Sequence, residues 1–369
     1  MRSRIAAFVI TVQVILFLGH WFIYETWKFF APPSASGVTM ALRIPLALLS
    51  VSFVAASLLS FRYYNFFVRV FYTLAAVWIG LLNFLFLAAC ACWIAYPAVR
   101  VLGLPIGRPV IASALFGLAV LVSLYGIVNA SWTRVRRIAV KLPHLPDSWR
   151  GRVAALVSDT HLGHVRGRHF ISRIVALLRR LEPDVIFIGG DLYDGTKADL
   201  NRFAEPWKDV SPRFGTYFVT GNHEEFTNPA KYYDAVARAG IHVLNSQKVI
   251  VDGLQILGVR YSDSRDANRF RSVLEQAALD RNRASIMISH VPHGLPIAEQ
   301  HGVSLQLSGH THGGQMFPIT WFTSRIFGEY TYGLKRFGEM VIYTSSGAGT
   351  WGPPMRVGTR PEIVLITFE

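Results

Sequence analysis

The sequence predicts two architectures in series: an all-α bundle of four membrane-crossing helices, then an α/β domain with mixed sheets. Three observations predict it. Four long apolar runs fill the first 140 residues. After them, short β-branched runs alternate with helical patterns bounded by Gly and Pro. The charge divides at the same place: residues 1–140 hold eleven Lys or Arg against one acid, Glu25, whereas the remainder holds 26 against 22. The basic excess therefore belongs to the apolar part, and no interleaving of basic and aromatic residues marks a nucleic-acid footprint.

The apolar runs are Ile5–Tyr24, Leu42–Phe61, Val70–Tyr96 and Val110–Ala130. Each approaches the ~20 residues that cross a hydrocarbon core, and the third is long enough to require tilt. A signal peptide is excluded for the first run, because no small-residue cleavage site follows and three more runs do. Gln13, His20 and Asn83 are polar at membrane depth and read as interhelical hydrogen-bonding groups. Cys90 and Cys92, the only cysteines, read as small packing residues in the third span. With a cytoplasmic N-terminus, the inside flanks hold Arg2, Arg4, Arg62, Arg69, Arg134, Arg136, Arg137 and Lys141, and the outside loops hold Lys28, Arg43, Arg100 and Arg108. That asymmetry predicts both termini and the second domain in the cytoplasm. The expected division is a transmembrane domain over 1–140, a linker over 141–151 marked by Pro143 and Pro146, and a second, α/β domain over 152–369.

Within the last domain the pattern predicts strands at Val153–Ser158, Val185–Gly189, Thr216–Thr220, Ala284–Ser289, Leu305–Ser308, Met340–Thr344 and Ile363–Phe368. Helices are expected at His169–Leu181, Pro229–Ala239 and Arg265–Leu279, and a hairpin at Asp252-Gly253 between Val249–Val251 and Leu254–Val259. Five polar words punctuate these elements: Asp159-Thr160-His161, Gly190-Asp191-Leu192-Tyr193-Asp194, Gly221-Asn222-His223-Glu224, Ser289-His290 and Gly309-His310-Thr311-His312. Each closes or follows a predicted strand, and functional groups collect beyond the carboxyl ends of such strands. Carboxylates, imidazoles and one carboxamide, with no thiolate, suit Mn, Fe or Zn and suffice for two divalent ions.

In their order and spacing, these words resemble the motifs of the calcineurin-like metallophosphoesterases, D-x-H, G-D-x-x-D, G-N-H-[DE], H and G-H-x-H, over roughly 152–369. The G-H-T-H-G-G-Q form and the later S-S-G-A-G-T are similar to the membrane-associated bacterial branch, which includes phosphodiesterases and UDP-2,3-diacylglucosamine pyrophosphatases. The resemblance implies a four-layer α-β-β-α sandwich and a multi-pass protein of a bacterial inner membrane. It implies a first ion held by Asp159, His161, Asp191 and His312, and a second by Asp191, Asn222, His290 and His310, with Asp191 shared. Two ions would supply a nucleophile at neutral pH and a clamp on the phosphoryl oxygens. His223, beside the ligand Asn222, is expected to be the general acid or a donor to the phosphoryl oxygen. Asp194 reads as the acceptor that orients it. His164 and His293, each three residues past a ligand, are open to supporting roles, whereas His144, His169, His242 and His301 read as surface or packing residues.

The stretch Met316–Gly338 interleaves Phe317, Trp321, Phe322, Ile326, Phe327, Tyr330, Tyr332, Leu334 and Phe337 with Arg325, Lys335 and Arg336. It reads either as a loop packed on its own domain or as an amphipathic flap at the membrane interface. The expected function is hydrolysis of a phosphodiester or pyrophosphate on a lipid or lipid-linked molecule, with the bilayer and that substrate as partners. The alternatives are hydrolysis of soluble nucleotides by an enzyme merely anchored by its helices, and a membrane sensor with a vestigial hydrolase domain. Intact liganding positions disfavour the last.

Overall fold

The computed structural model describes residues 2–369; the side chains of Arg2 and Arg4, counted above as inside charges, lie outside the described part. The chain forms two compact units. One ends at Val128 and includes Gly352–Met355, and the other comprises Asn129–Trp351 and Arg356–Glu369.

The first unit is built on helices Arg2–Phe30, Arg43–Arg62 and Phe66–Val101 and on most of a fourth, Arg108–Ser131. All four are long and apolar enough to cross a membrane. The third has 36 residues, about 54 Å at 1.5 Å each, which exceeds a ~30 Å hydrocarbon core. Asn65 starts it by accepting the Val68 N–H at 3.0 Å. Small residues face the packed interior, among them Ser52, Ala56 and Ser60 on the second span and Ala76, Gly80, Ala89 and Cys92 on the third, because short side chains let backbones approach closely in lipid. Gln13 donates to the Ser50 carbonyl at 2.9 Å, and Trp78 donates to His20 at 2.8 Å. These are the interhelical bonds expected of polar groups at that depth.

The second unit contains two six-stranded sheets. In chain order the strands are β1 (Arg134–Val140), β2 (Val153–Val157), β3 (Val185–Ile188), β4 (Thr216–Phe218), β5 (His242–Val243) and β6 (Gln247–Val251). They continue as β7 (Leu254–Val259), β8 (Ser285–Ser289), β9 (Leu305–Ser308), β10 (Gly333–Phe337), β11 (Met340–Thr344) and β12 (Glu362–Phe368). The first sheet runs β1-β12-β2-β3-β4-β5 and the second β10-β11-β9-β8-β7-β6. Alternate residues of each sheet meet in one core: Leu156 and Phe187 from the first pack with Ile256, Ile286 and Leu305 from the second, beside Trp149 and Phe368. The opposite face of the second sheet, with Leu257 and Met287, is covered by Phe270 and Leu274 of helix Ala267–Ala277. Helix Arg168–Leu181 buries Phe170, Ile171, Ile174, Val175 and Leu178. Burial of each such side chain stabilises by about 1.5–3 kcal/mol. This is the four-layer sandwich.

Three expectations are corrected. The boundary at residue 140 moves toward the N-terminus, because Arg134–Val140 is an edge strand of the catalytic sheet. β1 pairs in parallel with β12 from Arg134 opposite Glu362 to Val140 opposite Phe368. Its three arginines made a strand read as a membrane flank. Residues 141–151 are likewise no free linker, since Leu142, Leu145 and Trp149 lie in the core between the sheets; the prolines there shape a packed turn. The helix expected at Arg265–Leu279 is two, Tyr261–Ser264 and Ala267–Ala277. Asp266 restarts it by accepting the N–H groups of Asn268 and Arg269, an N-cap that a continuous helix has no place for.

Candidate metal centre

The five polar words meet beyond the ends of β2, β3, β4, β8 and β9, and the backbone there is bent in a particular way. Eleven non-glycine residues among those described have φ between 44° and 69°, and Asp159, His161, Asp191, His310 and His312 are five of them. Left-handed φ costs a residue with a Cβ, and such strain persists where the surrounding structure over-determines it. Here the turn takes each strand sharply off its axis and presents the side chain to the common point. Gly221 is required for a related reason: a Cβ there would collide with the Asp191 carboxylate and stand 2.6 Å from the Asp191 nitrogen.

Donor atoms of Asp159, His161 and His312 lie within 4.8 Å of one another, and so do those of Asp191, His290 and His310. His161 Nε2 faces His312 Nε2 at 3.0 Å, and His290 Nε2 faces His310 Nδ1 at 3.2 Å. Imidazole nitrogens approach this closely only across a shared proton or a shared cation. Asp191 Oδ2 lies 3.1 Å from His290 Nε2 and 3.8 Å from His161 Nε2, so one carboxylate serves both clusters. Asn222 Oδ1 is buried without a hydrogen-bond partner, which is costly unless something binds it. The donor set therefore fits two divalent ions. The expected ligands Asp159, His161, Asp191, His290, His310 and His312 are brought together, with Asn222 supplying an orphaned oxygen.

Outer contacts hold these groups in place. His290 Nδ1 donates to the Gly189 carbonyl at 2.8 Å, which leaves Nε2 to face the centre. Ser158 donates to Asp159 at 2.5 Å, and the His310 N–H reaches both Asp159 oxygens at 3.0 and 3.1 Å. Burial opposes charge on His290, but Asp191 and then Asp159 outweigh it and push the imidazole up to about 10. Burial, with the His290 charge beside it, pushes His310 down to about 3. Burial also works against the Asp191 carboxylate, yet His290 and His223 hold it well below the usual range. A dry nest of this kind binds positive charge strongly, whether as protons or as metal.

His223 sits at the edge of the nest. Its main-chain N–H donates to Asp191 Oδ1 at 2.9 Å, and its Nε2 lies 4.0 Å from Asp191 Oδ2. Its Nδ1 donates to the Asp194 main-chain oxygen at 2.9 Å, whereas the Asp194 carboxylate is 3.7 Å away and nearer His161, at 3.4 Å. Asp194 thus orients the ring through its backbone, because the turn after β3 aims the carbonyl at the imidazole. Phe226 packs on the His223 ring at 4.6 Å and Trp351 stands at 6.3 Å. Both are largely exposed.

Three residues of the site carried no role in the sequence reading. Glu224 is fully buried and accepts the N–H groups of Asp191, Tyr193 and Gly221 at 3.0, 2.8 and 2.8 Å. It ties two of the polar turns together, and burial followed by the Asp191 charge pushes it up to about 7. Its place in Gly221-Asn222-His223-Glu224 was visible, but not its direction. Arg356 is also fully buried; it donates to the carbonyls of His312, Ser346 and Gly349 at 2.8, 2.7 and 2.6 Å, and its Nη2 lies 3.1 Å from His312 Nδ1. Asn129 in turn donates to the Arg356 carbonyl at 2.8 Å, linking the last turn of the fourth helix to His312 through that arginine. No motif spacing announces that arginine. The third is Arg265, which donates to His293 Nε2 at 2.9 Å. His293 packs on Phe327 at 5.5 Å, and Phe327 reaches His310 at 6.1 Å. His164 is buried, with Nδ1 3.3 Å from Thr196 Oγ1.

The stretch after the last polar word divides between its two readings. Tyr330 and Phe337 pack against the second core, whereas helix Ile319–Phe327 buries none of its residues. Trp321, Phe322 and Ile326 are 50%, 54% and 72% exposed.

Comparison with known proteins places this centre among relatives. The family model for calcineurin-like phosphoesterases matches residues 153–314, which contain all the polar words. An uncharacterized metallophosphoesterase of Aquifex aeolicus is 31% identical over 258 residues, covering 68% of this chain and 98% of that protein. A transmembrane protein with metallophosphoesterase domain from Danio rerio is 34% identical over 266 residues, covering 67% of this chain and 60% of that protein. This chain therefore spans less than two thirds of the fish relative. Among solved structures, a putative 5'-nucleotidase from Staphylococcus aureus matches with a TM-score of 0.35 and 11% identity, over 59% of this chain and 54% of that one.

Proposed function

The chain belongs to the calcineurin-like metallophosphoesterase family, and from that premise we propose that it is a membrane-anchored hydrolase of a phosphodiester or pyrophosphate bond in a lipid or lipid-linked substrate. Two divalent ions, Mn, Fe or Zn by donor chemistry, would be held by Asp159, His161, Asp191 and His312 and by Asp191, Asn222, His290 and His310. When bound, they would supply charge stabilisation for the phosphoryl group and an activated water. The chain's own residues do the rest. His223, its ring direction set by the Asp194 carbonyl, presents Nε2 toward the centre to protonate the leaving oxygen or to bond a phosphoryl oxygen. Burial opposes its charge, but Asp191 and Asp194 outweigh burial and raise its pKa, the direction that suits a proton donor. Phe226 and Trp351 wall the space beside that imidazole and shield it from water.

The lipid part of the reading rests on one observation: the exposed aromatic helix Ile319–Phe327 begins a few residues after His312 and ends with Phe327 against His310. Aromatic and aliphatic side chains with a neighbouring Arg325 suit the headgroup level of a bilayer. Phe327 turns inward, so the test uses the outward residues. Replacing Trp321, Phe322 and Ile326 together by Ser is expected to raise the apparent KM for a lipid-linked phosphoester by about tenfold or more, at a rough 25 cal/mol per Å² of lost apolar contact. Hydrolysis of a small soluble ester by the same variant should hold steady. Equal losses on both would remove the lipid reading. Phe226 and Trp351 could equally stack a nucleobase, so the panel should include a nucleotide ester, and a preference for it would favour the soluble-substrate alternative.

We place the catalytic unit in the cytoplasm of a bacterial cell, beneath the inner membrane. The loop charges support that orientation through Arg134, Arg136, Arg137 and Lys141, which follow the fourth span within about ten residues, even though the three arginines fold into β1; the other flanks balance at four against four. Fusions after Ser131 and after Glu369 should fluoresce with a cytoplasmic reporter and lack alkaline phosphatase activity. The opposite pattern would move the substrate to the outer face.

A further inference from the structure

The membrane unit holds two adjoining cavities that the catalytic centre does not use. One, of about 650 Å³, lies at the helix ends and carries Lys28, Arg43 and Arg108 against Glu25. The other, of about 270 Å³, follows the first span past Trp21 to Phe17, with Leu46 and Ala47 opposite. They share Tyr24, Glu25 and Arg43, so a charged mouth opens into an apolar trough. From Tyr24 to Phe17 is seven residues of helix, about 10 Å of depth.

The charges at the mouth do not balance. Glu25 is the only acid in the first 140 residues, and Lys28 takes it at 3.1 Å. Arg43 Nε donates to the Tyr24 hydroxyl at 2.7 Å, and the Arg108 guanidinium lies over the Phe29 ring at 4.7 Å. Neutral aromatic groups thus orient both arginines, and neither makes an ion pair among the described residues. Each keeps N–H groups in a fork suited to a phosphate.

We propose that this composite cavity binds an anionic glycerophospholipid, with its phosphate between Arg43 and Arg108 and one acyl chain in the trough beside Phe17, Trp21 and Leu46. A free phosphate would satisfy the mouth but leave the trough unfilled, and a zwitterionic lipid would fill the trough while carrying its own cation into a basic mouth. The fourth span starts at this mouth with Arg108 and runs 24 residues, about 36 Å, to the end where the chain enters the catalytic unit. None of the cavity's lining residues belongs to the catalytic unit, and a bound lipid would fasten the first, second and fourth spans together.

The test uses the full chain in neutral detergent, with native mass spectrometry and thermal unfolding against phosphatidylglycerol, phosphatidylcholine and glycerol phosphate. Phosphatidylglycerol should be retained and raise the unfolding temperature, at least about tenfold more tightly than phosphatidylcholine, and glycerol phosphate should bind far more weakly than either. The double substitution Arg43→Gln, Arg108→Gln should weaken phosphatidylglycerol by at least about tenfold, the loss of one charged hydrogen bond or more. Leu46→Trp, which fills the trough and leaves the arginines, should weaken it as well. Arg62→Gln with Arg69→Gln, at the other end of the bundle, should change nothing. Variants that elute as the parent does and hold the same metal are folded. Equal retention of the two phospholipids, or unchanged retention in the arginine variant, would reduce the cavity to ordinary lipid contact and overturn the proposal. Glycerol phosphate binding as tightly as phosphatidylglycerol would overturn the acyl trough.

Discussion

Asp191→Asn is expected to lower hydrolysis by about 10³-fold or more, the several kcal/mol of charge stabilisation that a two-ion centre supplies. Metal content should fall with it. Among the described residues, the Asp191 carboxylate lies within 4.0 Å of a nitrogen from each cluster, His161 on one side and His290 on the other, and of His223 at their edge. Asparagine preserves the volume and an oxygen for the His223 N–H, but it removes the charge that offsets two cations. Gly221→Ala should reach the same end by another route, because its Cβ would displace Asp191 itself. The measurement is elemental analysis of purified protein beside initial rates on a soluble phosphodiester. An Asp191→Asn protein with full metal and a tenth of parental activity would show that Asp191 does not join the ions.

His223→Gln should behave differently, keeping its metal while losing about 10²–10⁴-fold in kcat, the range of a general acid. The loss should be greatest for an alkoxide leaving group and smallest for p-nitrophenolate, which departs without a proton. The structure adds a second, opposite expectation for its neighbour. Because the Asp194 main-chain oxygen, not the carboxylate, accepts from His223, Asp194→Asn should cost less than about tenfold, toward the mild end of outer-contact effects. Metal loss in His223→Gln as severe as in His310→Gln would make His223 a ligand instead. A loss independent of the leaving group would end the acid assignment.

Both expectations depend on different depths of information. The four spans, the strands β2, β3, β8, β9 and β11 and the five polar words were legible in the chain itself. Their signals are local: an apolar run of membrane length, a short β-branched or apolar run, or a carboxylate and a histidine two residues apart beyond a strand. Such patterns act through neighbours along the backbone, so sequence spacing carries them. The resemblance to a family then joined the words into one centre, and that order is also a property of the sequence.

What tertiary structure alone decided involves partners far apart in the chain. Arg134–Val140 carries three cations and looks like a membrane flank until β12, more than two hundred residues later, offers a parallel edge. Trp149 looks like linker until two sheets close over it. Arg356, in a loop of Gly and Pro, becomes a fully buried clamp on His312 only when the carbonyls of His312, Ser346 and Gly349, from two separate segments, converge around it. The Asp194 carbonyl replaces its carboxylate as the acceptor for His223 because the turn after β3 sets the direction of the peptide. Residue types and local periods determine which groups a chain can bring to a site. Which atom of each group faces inward follows from burial and from hydrogen bonds that exist only once distant segments have packed.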